Sequence, residues 1–247
     1  MIMTEEKQTD KNSPIFNLPK GVVWLLVLIW LIFLIENYLL SAEQKDQFFY
    51  TFAFIPLLYI SGQGVEGAAF SLIITPFSHA LLHANWEHLF INSAWLAIFG
   101  TPVAYRYGTV KFLLIFFICA AAGALFFAVT TLAQLTILVG ASGAISGLTG
   151  VAIRFIFQPV QMERDESSGE IIAIGRRLAT FTEMMRNIRA RSFILIWVGL
   201  NALIPVGEYL FDFGDFQIAW QAHLGGFFAG ILIAPIFELK ARANKRP

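Results

Sequence analysis

Residues 140–147 read Gly-Ala-Ser-Gly-Ala-Ile-Ser-Gly and open an uncharged, apolar segment of the chain. Gly140 lies two positions before Ser142 and Gly143 one position after it, so the Ser142 hydroxyl is uncrowded. If a helix begins at Ser142, the N–H of this residue is one of the first four amide donors that have no partner within the helix. The stretch therefore offers a candidate nucleophile and a donor for an oxyanion on one residue.

The composition is that of a helical membrane protein. Hydrophobic residues make up 57% of the 247 residues and charged residues 14%, against about 25% charged residues in an average soluble domain. The apolar runs are long, whereas a membrane β-barrel would show short alternating segments. There is no basic patch interleaved with aromatic residues, so we expect no nucleic-acid partner. Cys119 is the single cysteine, which excludes an internal disulfide.

Six apolar segments approach the roughly 20 residues that a helix needs to cross a bilayer. They are residues 21–40, 86–104, 111–132, 142–158, 192–210 and 218–238. We predict an all-α membrane domain over residues 21–238, with a short central fourth helix that begins at Ser142. The other segments are an N-terminal tail (1–20), an outer loop (41–85), a cytoplasmic loop (159–191) and a basic C-terminal tail (239–247). Within the cytoplasmic loop, residues 171–191 fit either a short amphipathic surface helix or a solvated connector.

The distribution of positive charge predicts the orientation. Six spans place both termini on one side, and of the 17 Lys and Arg residues all but Lys45 fall on that side. This bias predicts that both termini are cytoplasmic. The second, fourth and sixth segments then begin at the outer face, which brings His88, Asn92, Ser142 and His223 to a similar depth.

His223 is the candidate base for Ser142. It is the only histidine in the C-terminal half and is followed by Gly226 and Gly230, a small-residue pair that allows close helix approach. Gly143 would likewise allow the segment that carries Ser142 to approach a neighbouring helix closely. Such small-residue clusters more often serve helix packing alone. No carboxylate is placed to orient His223, so we expect a Ser–His dyad and no triad.

His88 and Asn92 are four residues apart and project from one face of a helix. Beside the N–H of Ser142 they would give three donors around an oxyanion. Taken alone, the pair fits an interhelical polar clamp equally well.

Metal or haem binding is an alternative interpretation of the histidines. His79 and His83 have the i, i+4 spacing of two zinc ligands, and His83 with His223 could hold a b-type haem. However, no Glu follows His79 as in H-E-x-x-H, and neither use explains the Gly-Ala-Ser-Gly stretch. We therefore expect no metal and no cofactor.

The motifs resemble those of the rhomboid intramembrane serine proteases. The matching patterns are H-x-x-x-H-x-x-x-x-H-x-x-x-N from His79 to Asn92, G-x-S-G at 140–143 and A-H-x-x-G-x-x-x-G at 222–230. The resemblance implies a six-helix rhomboid-like bundle and the hydrolysis of peptide bonds through an acyl-enzyme.

The resemblance also implies roles for single residues. Ser142 would be the nucleophile and His223 the general base, while His88, Asn92 and the backbone of Ser142 would form the oxyanion hole. His83 would support the outer loop and the water near the site, and His79 would be structural. The supporting set comprises His83, His79, Gly140, Gly143, Gly226 and Gly230.

The chain departs from the family pattern at three sites, which comprise four residues. Ile74-Thr75 stand where many members have Trp-Arg in the outer loop, and Ala104 stands where many have Glu. Ser146 replaces an aromatic residue that packs on the catalytic imidazole in many members. The orientation of His223 must therefore come from another residue.

The implied partners are the lipid bilayer and single-span membrane proteins, whose helices must be weakened near the outer face before cleavage. We predict an integral multi-pass protein of a bacterial inner membrane, with its active site open to the extracytoplasmic side. The alternative is a catalytically inactive rhomboid-like protein that binds membrane clients, which the departures at Ile74-Thr75 and Ser146 leave open.

Overall fold

The computed structural model describes residues 18–60, 68–131, 135–211 and 218–243, and this part of the chain is mostly helical. The helices and strands are α1 (Lys20–Tyr38), α2 (Ala42–Phe52), α3 (Leu57–Ile60), α4 (Ala68–Ser78), α5 (Trp86–Trp95), α6 (Thr101–Thr131), α7 (Ser142–Ile156), β1 (Val160–Arg164), β2 (Ile171–Arg176), α8 (Phe181–Arg186), α9 (Ile188–Phe211) and α10 (Trp220–Ala243). A 3₁₀ turn (His79–Leu81) follows α4, and a π-helical turn (Leu96–Gly100) joins α5 to α6.

Four helical runs in the described residues are long and apolar enough to cross a membrane. They are Lys20–Tyr38, Trp86–Thr131, Ile188–Gly207 and Trp220–Glu238, and α7 is a shorter apolar helix. Many large apolar side chains on these runs are exposed, among them Leu31, Leu125, Leu203 and Leu232. Such a surface suits contact with lipid and not with water.

The run Trp86–Thr131 is interrupted at Gly108. Its φ of 74° and ψ of 166° are not helical, and glycine adopts such a conformation without steric cost. A Cβ at Gly100 would lie 3.2 Å from the ring of Phe112, whereas 12 residues of straight helix would separate them by about 18 Å. The chain therefore reverses direction at Gly108, between the two segments that the sequence predicts at 86–104 and 111–132.

Helix α7 is the centre of the molecule. Every residue from Gly143 to Phe155 is buried, and α7 packs on α6 and α10. The contact with α10 is at backbone distance, because a Cβ on Gly226 would overlap the carbonyl oxygen of Gly143 and one on Gly230 would overlap that of Gly147. Glycines in both helices thus allow the first turn of α7 to lie directly against α10.

The region predicted as an outer loop contains α2, α3 and α4 and is tied down by hydrogen bonds. Phe54 and Leu138 exchange two backbone hydrogen bonds of 3.1 and 2.8 Å. The hydroxyl of Tyr59 donates to the carbonyl of Leu72 at 2.8 Å and lies 2.7 Å from Thr75 Oγ1. Thr75, one of the two residues that stand in place of Trp-Arg, is therefore part of the anchoring of this region.

The connection between α7 and α9 was expected to be either a surface helix over residues 171–191 or a solvated connector, and the helix is wrong for the first part of this stretch. Ile171–Arg176 pairs antiparallel with Val160–Arg164 as a hairpin, because its β-branched residues favour a strand. A helix begins only after Thr180, which forms a capping box with Glu183. Arg177 donates two hydrogen bonds of 2.7 Å to Glu183 and lowers the pKa of that carboxyl to about 2.

Candidate active site

Ser142 and His223 are in direct contact. Ser142 is the first residue of α7, and His223 lies in the first turn of α10. Ser142 Oγ is 2.8 Å from His223 Nε2, a distance typical of an O–H···N hydrogen bond. The close approach of α7 and α10 at Gly143 and Gly226 brings the two residues within this distance.

The other ring nitrogen of His223 contacts Asn201, a residue that the sequence analysis did not single out. Asn201 Oδ1 is 2.8 Å from His223 Nδ1, and Asn201 Nδ2 donates to the backbone oxygen of Trp197 at 2.9 Å. No carboxylate contacts His223 among the described residues, so a neutral amide takes the place that a carboxylate has in a triad. The sequence did contain a signal for Asn201, because a polar side chain in the middle of an apolar segment indicates a functional residue.

His88 lies against Gly140. The φ of Gly140 is +114°, and a Cβ there would lie 2.6 Å from His88 Nε2. Gly140 N–H donates to the backbone oxygen of His79 at 2.9 Å. A side chain at position 140 would be strained and would displace the His88 ring, so glycine is required two residues before Ser142.

Asn92 lies one turn after His88 on α5 and is buried. Its neighbours on the same face of the chain, Leu89 and Leu96, pack in the core that includes Ala141 and Ile145. Asn92 Nδ2 has no hydrogen-bond partner among the described residues. A buried donor without a partner costs about 1–3 kcal/mol, and such groups call for a functional explanation.

His83 is fully buried. Neither of its ring nitrogens has a partner in the described part of the chain. Its ring meets that of His88 edge to face at a centroid distance of 5.1 Å. His83 thus extends the polar cluster beyond His88.

His79 lies in the loop that supports the cluster. Its Nδ1–H donates to the backbone oxygen of Thr75 at 2.9 Å, and its own carbonyl accepts from Gly140. One ring nitrogen is therefore engaged, which disfavours a zinc site shared with His83. Among the described residues, no group of three or more His, Cys, Asp or Glu side chains could hold a metal ion.

Two of the departures from the family pattern are buried. Ser146 lies one turn after Ser142 on α7, and Ala104 lies in the first turns of α6. Neither side chain supplies a ring or a charge, so α7 provides no aromatic support for the imidazole of His223.

A serine hydroxyl that is hydrogen-bonded to an imidazole is the arrangement found in serine hydrolases. In this protein the pair lies between apolar helices. The Rhomboid domain family matches residues 72–239, more than half of the chain, and the protein belongs to this family. The protein is an integral membrane protein, and the rhomboid family generally consists of intramembrane serine proteases. A comparison with curated proteins gave no match.

Proposed function

We propose that the protein is a serine endopeptidase that hydrolyses peptide bonds in or near the transmembrane segments of membrane proteins. The observation that carries this proposal is the 2.8 Å contact between Ser142 Oγ and His223 Nε2. In the proposed reaction, His223 accepts the hydroxyl proton while Ser142 Oγ attacks the carbonyl carbon of the substrate. His223 then returns the proton to the leaving amine, and water hydrolyses the acyl-enzyme by the same route.

The oxyanion of the tetrahedral intermediate needs donors beside Ser142. The candidates are Ser142 N–H at the start of α7, the ring of His88 against Gly140, and Asn92 Nδ2. Preorganised donors in a site of low dielectric stabilise developing charge more than water does. The lack of a partner for Asn92 Nδ2 in the described residues supports its assignment to this role.

We further propose six membrane crossings, with the chain reversal at Gly108 dividing the longest run into two. Both termini would be cytoplasmic and the site would open to the extracytoplasmic side, because the positive charges lie on the side of the termini. The membrane would be a bacterial inner membrane. The substrates would be single-span proteins, since cleavage requires a helix that unwinds near the outer face.

An inactive rhomboid-like protein that binds membrane clients is the second candidate. Ser146 and Ile74-Thr75 favour it, because they lack the aromatic ring and the Trp-Arg pair found in many active members. Haem ligation by His223 is disfavoured, since both of its ring nitrogens are within 2.8 Å of a protein oxygen.

The test is labelling of the purified protein with a fluorophosphonate probe, together with cleavage of a panel of single-span substrates. We expect labelling and cleavage by the wild type, and neither by Ser142→Ala. Ser146→Ala is the matched control, because it removes a hydroxyl one turn further along α7 and should keep both activities. Equal labelling of wild type and Ser142→Ala, or a wild type that neither labels nor cleaves, would contradict the proposal.

A further inference from the structure

We propose that Asn201 is a positioning residue that holds the imidazole of His223 in the tautomer and orientation that activate Ser142. The inference rests on the proposed function, because it names the group that replaces both a carboxylate and the missing aromatic ring. Its geometric content, a hydrogen bond from His223 to an amide on α9, holds independently of catalysis.

The orientation of the Asn201 amide follows from its second partner. The backbone oxygen of Trp197, one turn earlier on α9, lies 2.9 Å from Asn201 Nδ2. A carbonyl oxygen only accepts hydrogen bonds, so the NH₂ group must face Trp197 and the amide oxygen must face His223.

The orientation of the Asn201 amide determines the tautomer of His223. The amide oxygen of Asn201 only accepts, so His223 Nδ1 must carry the proton across the 2.8 Å contact. In the neutral ring Nε2 then carries the lone pair, and it faces Ser142 Oγ. This is the arrangement that a general base needs to take the hydroxyl proton.

The burial of Asn201 distinguishes it from its neighbours on α9. Its exposed fraction is 5%, while the adjacent Leu200 and the nearby Leu203 are each 60% exposed. A polar side chain in an apolar span faces the interior of the bundle when it has a partner there. Because an amide is uncharged, it orients the ring without the cost of burying a carboxylate beside apolar helices.

Aromatic contacts hold this part of α9 against α10. The ring of Trp197 stacks on Phe227 of α10 at 6.1 Å between centroids, and on its neighbour Phe193 within α9 at 6.2 Å. Phe227 lies one turn after His223, so the Trp197–Phe227 contact joins the two helices close to the level of the amide. The support that Ser146 on α7 lacks thus comes from the opposite side of the imidazole.

The first test compares Asn201→Leu with Asn201→Asp in the full-length protein. Leucine is of similar size but accepts no hydrogen bond, so we expect kcat to fall about 10- to 100-fold, the range for removing a partner that orients a ligating histidine. KM and the thermal unfolding midpoint should change little. Aspartate keeps an acceptor oxygen for His223 but cannot donate to the backbone oxygen of Trp197, so it should restore kcat only in part. Leu203→Ala, an exposed change on the same helix, is the control and should behave as wild type.

The second test reads the tautomer directly by ¹⁵N NMR of histidine-labelled protein, with His223 assigned from the His223→Gln spectrum. We expect the Nδ1–H form of His223 in the wild type and its loss in Asn201→Leu. A wild-type His223 protonated on Nε2, or a folded Asn201→Leu with unchanged kcat, would overturn the inference. If the wild type proves inactive, the proposed protease function fails, while the NMR measurement still decides whether Asn201 sets the tautomer.

Discussion

The two helices that flank His223 differ sharply in how they are held. On one side, α7 is buried along its length from Gly143 to Phe155. On the other side, only 17% of the apolar stretch of α9 is buried, the lowest share among the four long apolar runs. Ser142 thus lies on the most enclosed helix of the site, and Asn201 on the most exposed one.

The contacts differ in kind as well as in extent. The position of α7 is set by glycines that meet backbone atoms of α10, so that even one added methyl group has no room. The position of α9 against α10 is set by side chains, chiefly Trp197, whose ring stacks on Phe227 of α10. Ser142 is thus placed by backbone contacts between α7 and α10, whereas on the α9 side the ring of His223 is held by a hydrogen bond to the side chain of Asn201.

Gly226→Val should have the largest effect on probe labelling, because it separates the helices that carry Ser142 and His223. Its Cβ would overlap the carbonyl oxygen of Gly143, so α10 must move away from α7 or fail to pack. Overpacking of a tight contact typically costs about 1–3 kcal/mol and can cost more. We expect a clear fall in the unfolding midpoint in detergent and the loss of probe labelling at Ser142.

Gly199→Ala on α9 is the matched control, because a Cβ there would meet no atom within 4 Å. Alanine should leave stability unchanged or raise it by about 0.5–1 kcal/mol, since it lowers the entropy cost of the helix. If the two glycine variants are equally stable and active, the contrast between the helices is wrong.

Asn92→Ala tests whether the buried side chain next to α7 acts as an oxyanion donor. Loss of one oxyanion donor should lower kcat about 10²- to 10³-fold. Folding should be little affected, because Asn92 Nδ2 has no partner to lose among the described residues. Steady-state cleavage of a single-span substrate measures the effect, and Asn37→Ala near the end of α1 serves as control. Turnover equal to wild type would remove Asn92 from the site.

Leu148→Ala and Leu200→Ala compare the packing of the two helices directly. Leu148 on α7 is fully buried, whereas Leu200 on α9 is 60% exposed. Truncation of a buried leucine typically costs about 2–5 kcal/mol, while an exposed change is usually within about 0.5 kcal/mol. Reversible unfolding in mixed micelles would measure the difference, and equal costs would show that α9 is as tightly held as α7.

The Ser142–His223 pair could be predicted because its residues stand out in the sequence. Hydroxyl and imidazole groups in apolar segments are rare, and the flanking glycines indicate that the two helices approach each other closely. Asn201 was missed because it has no such flanking pattern, although it is the only strongly polar residue between Phe193 and Gly207. Which way its amide faces depends on the packing of α9 on α10, which the sequence does not reveal.

The apolar segments were predictable from hydropathy, but their ends were not. Helix α9 begins at Ile188 and α10 extends to Ala243, each beyond its apolar run, because polar residues continue a helix outside the hydrocarbon layer. The hairpin of β1 and β2 was not foreseen, since short amphipathic stretches rich in charge fit a helix, a strand or a connector.

Asn201 is carried by the least buried of the four long apolar runs. A sideways shift of α9 would separate the amide from His223 while leaving Ser142 fixed on α7. If α9 crosses the bilayer as proposed, lipid would contact most of its surface, and the thickness of the bilayer would act on this helix through hydrophobic mismatch. The reactivity of the serine would then vary with the lipid composition of the membrane even when every residue of the site is intact.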